Sequence, residues 1–367
     1  MRVLRWLLVF VPLAFVARWG LKSETLTFVA AGIGLVPLAG LLGEATEELA
    51  LRTGPKVGGL LNATLGNAAE LIITTVALKA GKIELVKASI VGSILGNLLL
   101  ILGFSLLLGG LKNGTQRFDR GPAGTGSTMM FLAVIGLLVP TLFEVVHRVA
   151  EHVPVLGVEA ATSRFRDPSL ESLSLGVSAL LMVIYVLSLV HSFTGPEPAH
   201  VPVGVQEGAE ETHAACWSVR TSLLVLAGST VFTVFLSELL VGAVEPVVRR
   251  FGLSELFLGI VLIPLVGNVA EHLVAVQTAW KNKMDLSLAI SLGSSMQIAL
   301  FVAPLLAFVS LLFRERLTLF FDPFQVLVLG LAVLIAGQIS VDGESNWLEG
   351  AQLLAVYAMA ALGFLYL

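Results

Sequence analysis

The chain has 367 residues, 56% of them hydrophobic and only 13% charged. A soluble domain carries about 25% charged residues, and here the apolar surplus falls in long runs, which excludes a soluble globular protein. The formal net charge of −4 offers nothing to a nucleic acid, and a single cysteine, Cys216, excludes an intrachain disulfide and a thiolate metal cluster. The class left is an all-α, multi-pass integral membrane protein, expected in the cell membrane of a prokaryote.

A span needs roughly 20 mainly apolar residues, and eleven candidates follow in chain order. The first, 3–20, begins beside Arg2 and Arg5 as a signal peptide would. Arg18 and Lys22 come after it rather than a small-residue cleavage site, so 1–25 reads as an N-terminal spanning or anchoring helix. Spans 26–43, 56–79, 84–110, 126–148 and 171–193 make a first set of five, placing one unit at 26–193. The longest polar interruption, 194–217, holds Pro196, Pro198 and Pro202 with Glu197, Glu207, Glu210 and Glu211, and reads as a solvated acidic linker. Spans 218–243, 254–280, 285–313, 323–341 and 347–367 make a second set of five within 218–367. Lysines and arginines divide almost evenly between the two sides. The densest short basic segment, with Lys112, Arg117 and Arg120, favours a cytoplasmic N-terminus.

Sliding the second set on the first with an offset of 201 places "GNAAE" (66–70) on "GNVAE" (267–271). In the same register Gly58 meets Gly259, Lys82 meets Lys283, Gly92-Ser93 meets Gly293-Ser294, and Glu44 meets Glu245. Leucines and alanines match by chance in apolar sequence; Gly-Asn, Glu and Gly-Ser in one register do not. The same unit therefore occurs twice. Five spans per unit is an odd number, so the second copy enters the membrane from the opposite side: two inverted five-helix repeats plus an N-terminal helix, as secondary transporters are built.

Glu70 and Glu271 lie well inside their spans. A carboxylate at the bilayer centre costs at least about 2.5 kcal/mol on the lenient insertion scale, and such residues mark ion paths and proton relays. One glutamate alone would serve equally as a protonated hydrogen-bonding group between helices; two in matched positions point to an ion. Asn67 and Asn268 precede them by three residues, on the same helix face. Gly66 and Gly267, with Gly58, Gly59, Gly259 and Pro264 upstream, loosen the helices and can free backbone carbonyls. Ser93 and Asn97 in "GSILGN", and Ser294, Ser295 and Gln297 in "GSSMQ", offer further polar atoms on partner helices. Carboxylates, amides and carbonyls make an all-oxygen site. Hard oxygens suit calcium, magnesium or manganese, and calcium, tolerant of irregular geometry and quicker to shed water than magnesium, fits a site that must release its ion. Manganese, cadmium or sodium could pass the same oxygens. A carboxylate held away from water favours a proton when no cation is present, so cation and protons compete for the same groups.

The segments "GGLLNATLGNAAELI" (58–72) and "FLGIVLIPLVGNVAEH" (257–272) resemble the two signature repeats of the cation/proton exchanger family, the calcium/proton antiporters of the calcium/cation antiporter superfamily. "LGEATEELALRTG" (42–54) and "GSSMQIALF" (293–301) resemble it as well. The resemblance covers nearly the whole chain after the first helix. It implies eleven helices around a midplane site, with Glu70 and Glu271 binding both cation and protons. It implies that Asn67, Asn268, Ser93, Ser294 and Gln297 support the ion. His272 matches a histidine that commonly follows the second glutamate, with a gate, a proton path or packing as its role. Glu44, Glu238 and Glu245 match acids near helix ends, as an ion entrance. The rival within the superfamily, a sodium/calcium exchanger, would resemble G-T-S-x-P-E rather than G-N-A-A-E and G-N-V-A-E. A cation channel would need no opposed glutamates. An enzyme is not expected: Asp119, Asp167, Asp285, Asp322 and Asp342 fall in loops or near span ends, no H-E-x-x-H occurs, and no cofactor motif is present.

Overall fold

The computed structural model describes residues 4–150, 168–194 and 216–367. Glu197, Glu207, Glu210 and Glu211 of the expected linker lie outside these, as does Asp167. Among the described residues ten helices are long and apolar enough to cross a membrane: α2 (Glu24–Thr53), α3 (Val57–Lys79), α4 (Ile83–Asn113), α5 (Arg120–Ala150), α6 (Pro168–Ser192), α7 (Val219–Phe251), α8 (Glu255–Trp280), α9 (Met284–Ser310), α10 (Pro323–Val341) and α11 (Trp347–Tyr366). A shorter helical segment, α1 (4–20), precedes them and packs on α2.

Local chemistry sets the boundaries. Ser23 caps α2, Asp322 followed by Pro323 opens α10, and Asn346 with Glu349 forms a reciprocal capping box on α11. Gly252 stops α7 in the left-handed conformation, φ 66°.

Hydropathy does not tell centre from periphery, but packing does. α4 and α9 are the most enclosed spans, 83% and 72% of their apolar windows being buried, whereas α6 and α11 are each 22% buried. These are repeat-related pairs, so the two copies hold equivalent places in the bundle. Both α4 and α9 also widen into a π-helical stretch, Gly96–Ile101 and Ile298–Val302. Such stretches are rare and gather at functional sites.

Hydrogen bonds between distant turns sort onto two faces. On one, the two-residue strands β1 (Gln116–Arg117) and β2 (Glu344–Ser345) pair antiparallel, Asp119 N–H donates to Asp285 Oδ1 at 2.7 Å, and Gln116 Nε2 donates to Ala279 O at 2.9 Å. On the other, Lys82 Nζ donates to Glu255 Oε1 at 2.9 Å and Arg250 Nη1 to Thr25 Oγ1 at 3.1 Å. Strict alternation of the spans puts the α4–α5, α8–α9 and α10–α11 turns on the first face. It puts the α1–α2, α3–α4 and α7–α8 turns on the second. Each contact joins turns on one side, as five-span copies of opposite direction require.

α4 and α8 cross at Gly92. A Cβ there would lie 2.5 Å from Ile260 Cα and 2.7 Å from Ile260 C, against backbone rather than a movable side chain. Pro264, four residues on, has no N–H to give the Ile260 carbonyl, and that carbonyl points at Gly92. Gly92→Ala must therefore part the helices. We expect a loss of about 1–3 kcal/mol, the usual penalty of overpacking, read as a lower thermal midpoint in detergent; an unchanged midpoint would show that the crossing is loose.

Candidate functional site

The site forms where α3 and α8 cross the enclosed α4 and α9. α3 does not run straight through. It breaks at Gly66–Asn67, between Pro55–Leu65 and Ala68–Lys79. The break releases the Ala63 carbonyl, which would otherwise accept from Asn67 N–H, and Tyr185 Oη of α6 donates to it at 2.9 Å. The glycine-loosened helix expected of the first copy is thus present. In the second copy α8 continues unbroken through Gly267, and the irregularity moves upstream to the π-helical stretch Leu258–Leu262. Gly267 has another use: a Cβ there would lie 2.6 Å from Glu70 Oε1, so glycine lets the carboxylate rest on the opposing helix.

The polar side chains bridge the two copies. Ser294 Oγ donates to Asn67 Oδ1 at 3.0 Å, and Asn67 Nδ2 donates to Gln297 Oε1 at 2.5 Å. In the reciprocal arrangement Asn268 Nδ2 donates to Ser93 Oγ at 3.4 Å. Each asparagine of one repeat is held by the serine of the other, and both are buried. Glu70 is buried, close enough to Glu271 for their charges to act on one another, and Ser294 is also within reach of Glu271. Glu70 Oε1 and Glu271 Oε2 are buried with no hydrogen-bond partner. Buried polar atoms in folded proteins are nearly always satisfied, so two orphaned carboxylate oxygens in matched positions mark a place for a ligand. Among the described residues no three His, Cys, Asp or Glu side chains gather in one place. A cation here would complete its shell from amide, hydroxyl and carbonyl oxygens.

The chain matches the family described as "Sodium/calcium exchanger protein" over residues 23–194 and 221–366. The chain belongs to that family. Within it, the chain is similar to the "Ca(2+)/H(+) antiporter" of Synechocystis, 43% identical over 98% of this chain and 96% of that protein. It is likewise similar to the "Ca(2+)/H(+) antiporter ChaA" of Bacillus subtilis, 38% identical over 97% of each. The structure of native YfkE superposes with a TM-score of 0.81 at 35% identity, covering 99% of this chain and 100% of that one. An exchanger fold is thus shared over the whole length.

Of the residues expected at the site, Glu70, Glu271, Asn67, Ser294 and Gln297 come together, Asn268 pairs with Ser93, and His272 turns to Asn97. The acids expected at the entrance do not join them. Glu44 is turned toward α1, where Arg5 Nη2 bridges both its oxygens at 2.7 and 2.9 Å. Glu238 pairs with Lys79 at 3.4 Å, and Glu245 with Arg249 at 2.6 Å and Lys82 at 3.5 Å. A cation arriving at any of the three competes with a resident basic group. Tyr185 was not foreseen; its signal was a tyrosine in the middle of an apolar span, one of only three in the chain.

His272 Nε2 lies 3.2 Å from Asn97 Oδ1, and both residues are buried. An amide oxygen only accepts, so the imidazole carries its hydrogen on Nε2. The register puts Leu71 opposite His272 and Ile298 opposite Asn97, so this link has no counterpart in the other repeat. Asn97→Leu leaves a buried donor unpaired. The expected loss is about 1–3 kcal/mol, read as a lower thermal midpoint that the double variant Asn97→Leu/His272→Leu partly recovers; two independent, additive losses would show that the groups do not interact.

Proposed function

We propose that this protein is a secondary active antiporter that exchanges calcium for protons by alternating access, cation and protons competing for Glu70 and Glu271. The observation that carries the reading is the matched pair of buried carboxylates, one from each repeat, each with an oxygen left unsatisfied. Two like charges close together in low dielectric repel strongly. Either one divalent cation or protons must neutralise them, and the two kinds of occupant exclude each other. That exclusion is the coupling. Asn67, Asn268, Ser93, Ser294 and Gln297 fix the carboxylates and lend oxygens; His272, tied to Asn97, lies beside the proton-bearing pair. α2–α6 and α7–α11 act as the two inverted copies. The printed activities of the relatives support calcium and protons as the pair exchanged.

The experiment is calcium movement in vesicles holding the purified protein under an imposed pH gradient. Calcium should accumulate on the side richer in protons as protons leave it, and lowering the pH on the calcium side should weaken calcium uptake. Uptake that follows a sodium gradient and ignores pH would favour sodium/calcium exchange; calcium flux needing no counter-ion gradient would favour a channel.

A further inference from the structure

We propose that Lys82 and Lys283, matched residues of the two repeats, are reciprocal positioning residues. Lys82 secures the second face in the state seen here by pairing with Glu245. Lys283 secures the first face in the opposite state by pairing with Glu44.

Four positions share one register. Lys82 meets Lys283 and Glu44 meets Glu245, each separated by the same 201 residues as the central glutamates. Lys82 occupies the α3–α4 turn on the second face, where it donates to Glu255 at 2.9 Å and reaches Glu245 of α7 at 3.5 Å. This contact ties the first repeat to the second. Partial burial pulls the Lys82 ammonium down from its ordinary value, but Glu255 and Glu245 outweigh that and leave it raised. Its charge is present below the ordinary lysine value of 10.5 and is lost only as pH climbs past the raised one. The latch is therefore fastened throughout the neutral range.

Inverted repeats interconvert their two states by exchanging the conformations of the copies. A contact between a residue of one copy and a residue of the other then has a mirror, made when the copies have swapped. The mirror of Lys82–Glu245 is Lys283–Glu44, on the first face. Lys283 stands at the α8–α9 turn, as Lys82 stands at the α3–α4 turn. In the present state Glu44 is held by Arg5 from α1, a helix outside the repeat. Arg5 thus parks the acid while the other latch is fastened. Glu255, which the register places opposite Gly54, has no mirror, so the second latch is stronger than the first.

The inference rests on alternating access and does not depend on which cation is carried. In a Cys216→Ser background, one cysteine pair replaces Lys82 and Glu245, and another replaces Lys283 and Glu44. Cross-linking yields with a bis-maleimide, whose reach suits positions bridged by two long side chains rather than by a disulfide, are then followed while calcium chloride and pH are varied. We expect the two yields to move in opposite directions. Single charge removals, Lys82→Gln or Lys283→Gln, should shift the balance between states about two- to fivefold, as for a partly exposed ion pair. The exchanged pair Lys283→Glu with Glu44→Lys should restore exchange that either single change slows. Yields that rise and fall together, or a Lys283/Glu44 pair that cross-links under no condition, would overturn the proposal. Reciprocal yields that answer to pH but not to calcium would uphold the latches and overturn calcium as the cargo.

Discussion

Glu70→Gln is expected to reduce calcium/proton exchange by at least about a hundredfold, beyond the 10–100-fold typical of losing an outer-shell partner of a metal. Glu271→Gln should do the same. The change keeps size and shape and removes one thing, the ability to alternate between charged and protonated forms. It should leave folding nearly intact, because no ion pair holds the Glu70 carboxylate and its Oε1 has no hydrogen-bond partner to lose. The contrast is Glu144 of α5, which accepts from Arg148 Nε at 2.5 Å with both side chains buried. Breaking a buried pair by removing one partner typically costs about 3–5 kcal/mol, so Glu144→Gln should lower the thermal midpoint without touching the site. The measurement is calcium uptake against a pH gradient beside thermal unfolding in detergent. Unchanged exchange in either Glu70→Gln or Glu271→Gln would remove the carboxylates from the mechanism.

The pairing of Glu70 with Glu271 was legible because the pattern G-N-x-A-E recurs at a fixed offset and needs no knowledge of contacts. The membrane class and ten of the eleven expected spans were legible for a similar reason: bilayer thickness imposes a length on every span, and the segment 4–20, expected as the first, falls short of that length. The partners of the asparagines were not. Asn67 meets Ser294 and Gln297, and Asn268 meets Ser93, across separations of 227, 230 and 175 residues. Hydropathy says that such groups are buried but not whom they face. The sequence also treated Gly66 and Gly267 as equals, yet only the first sits at a helix break. Pro264 supplies part of the reason, since it removes a backbone donor from α8 that α3 retains in the matching position, Ala63. Glu44 was expected at an ion entrance because it matches acids that the family carries near helix ends. Its direction is set by a stripe, Pro37, Gly40, Leu41 and Glu44, that lies against Leu4 and Arg5 of α1. That stripe has helical spacing and could have been recognised; its partner, a helix outside the repeat, could not.

Gly267→Ala is the second large effect, and it separates function from folding. A methyl group at this position would lie 2.6 Å from Glu70 Oε1 and 3.2 Å from its Cδ. Both distances are inside van der Waals contact, so something must move. What moves is the free end of a flexible side chain, and α8 is already helical at Gly267. Alanine is the better helix former by roughly 1 kcal/mol, so the helix itself gains. The protein should fold as well as before, with its thermal midpoint unchanged or slightly raised. Glu70, however, is pushed off the opposing helix. Placing a reacting group about 1 Å wrong from such a shift can reduce rates on the order of a hundredfold, and calcium uptake should fall by a similar factor. The opposite holds at Gly92, where the added methyl meets the Ile260 backbone and the stability falls first. Purified Gly267→Ala and Gly92→Ala, compared for melting and for uptake, should therefore fail in different assays. A Gly267→Ala protein that exchanges calcium at the ordinary rate would show that the carboxylate does not need the resting place this glycine provides.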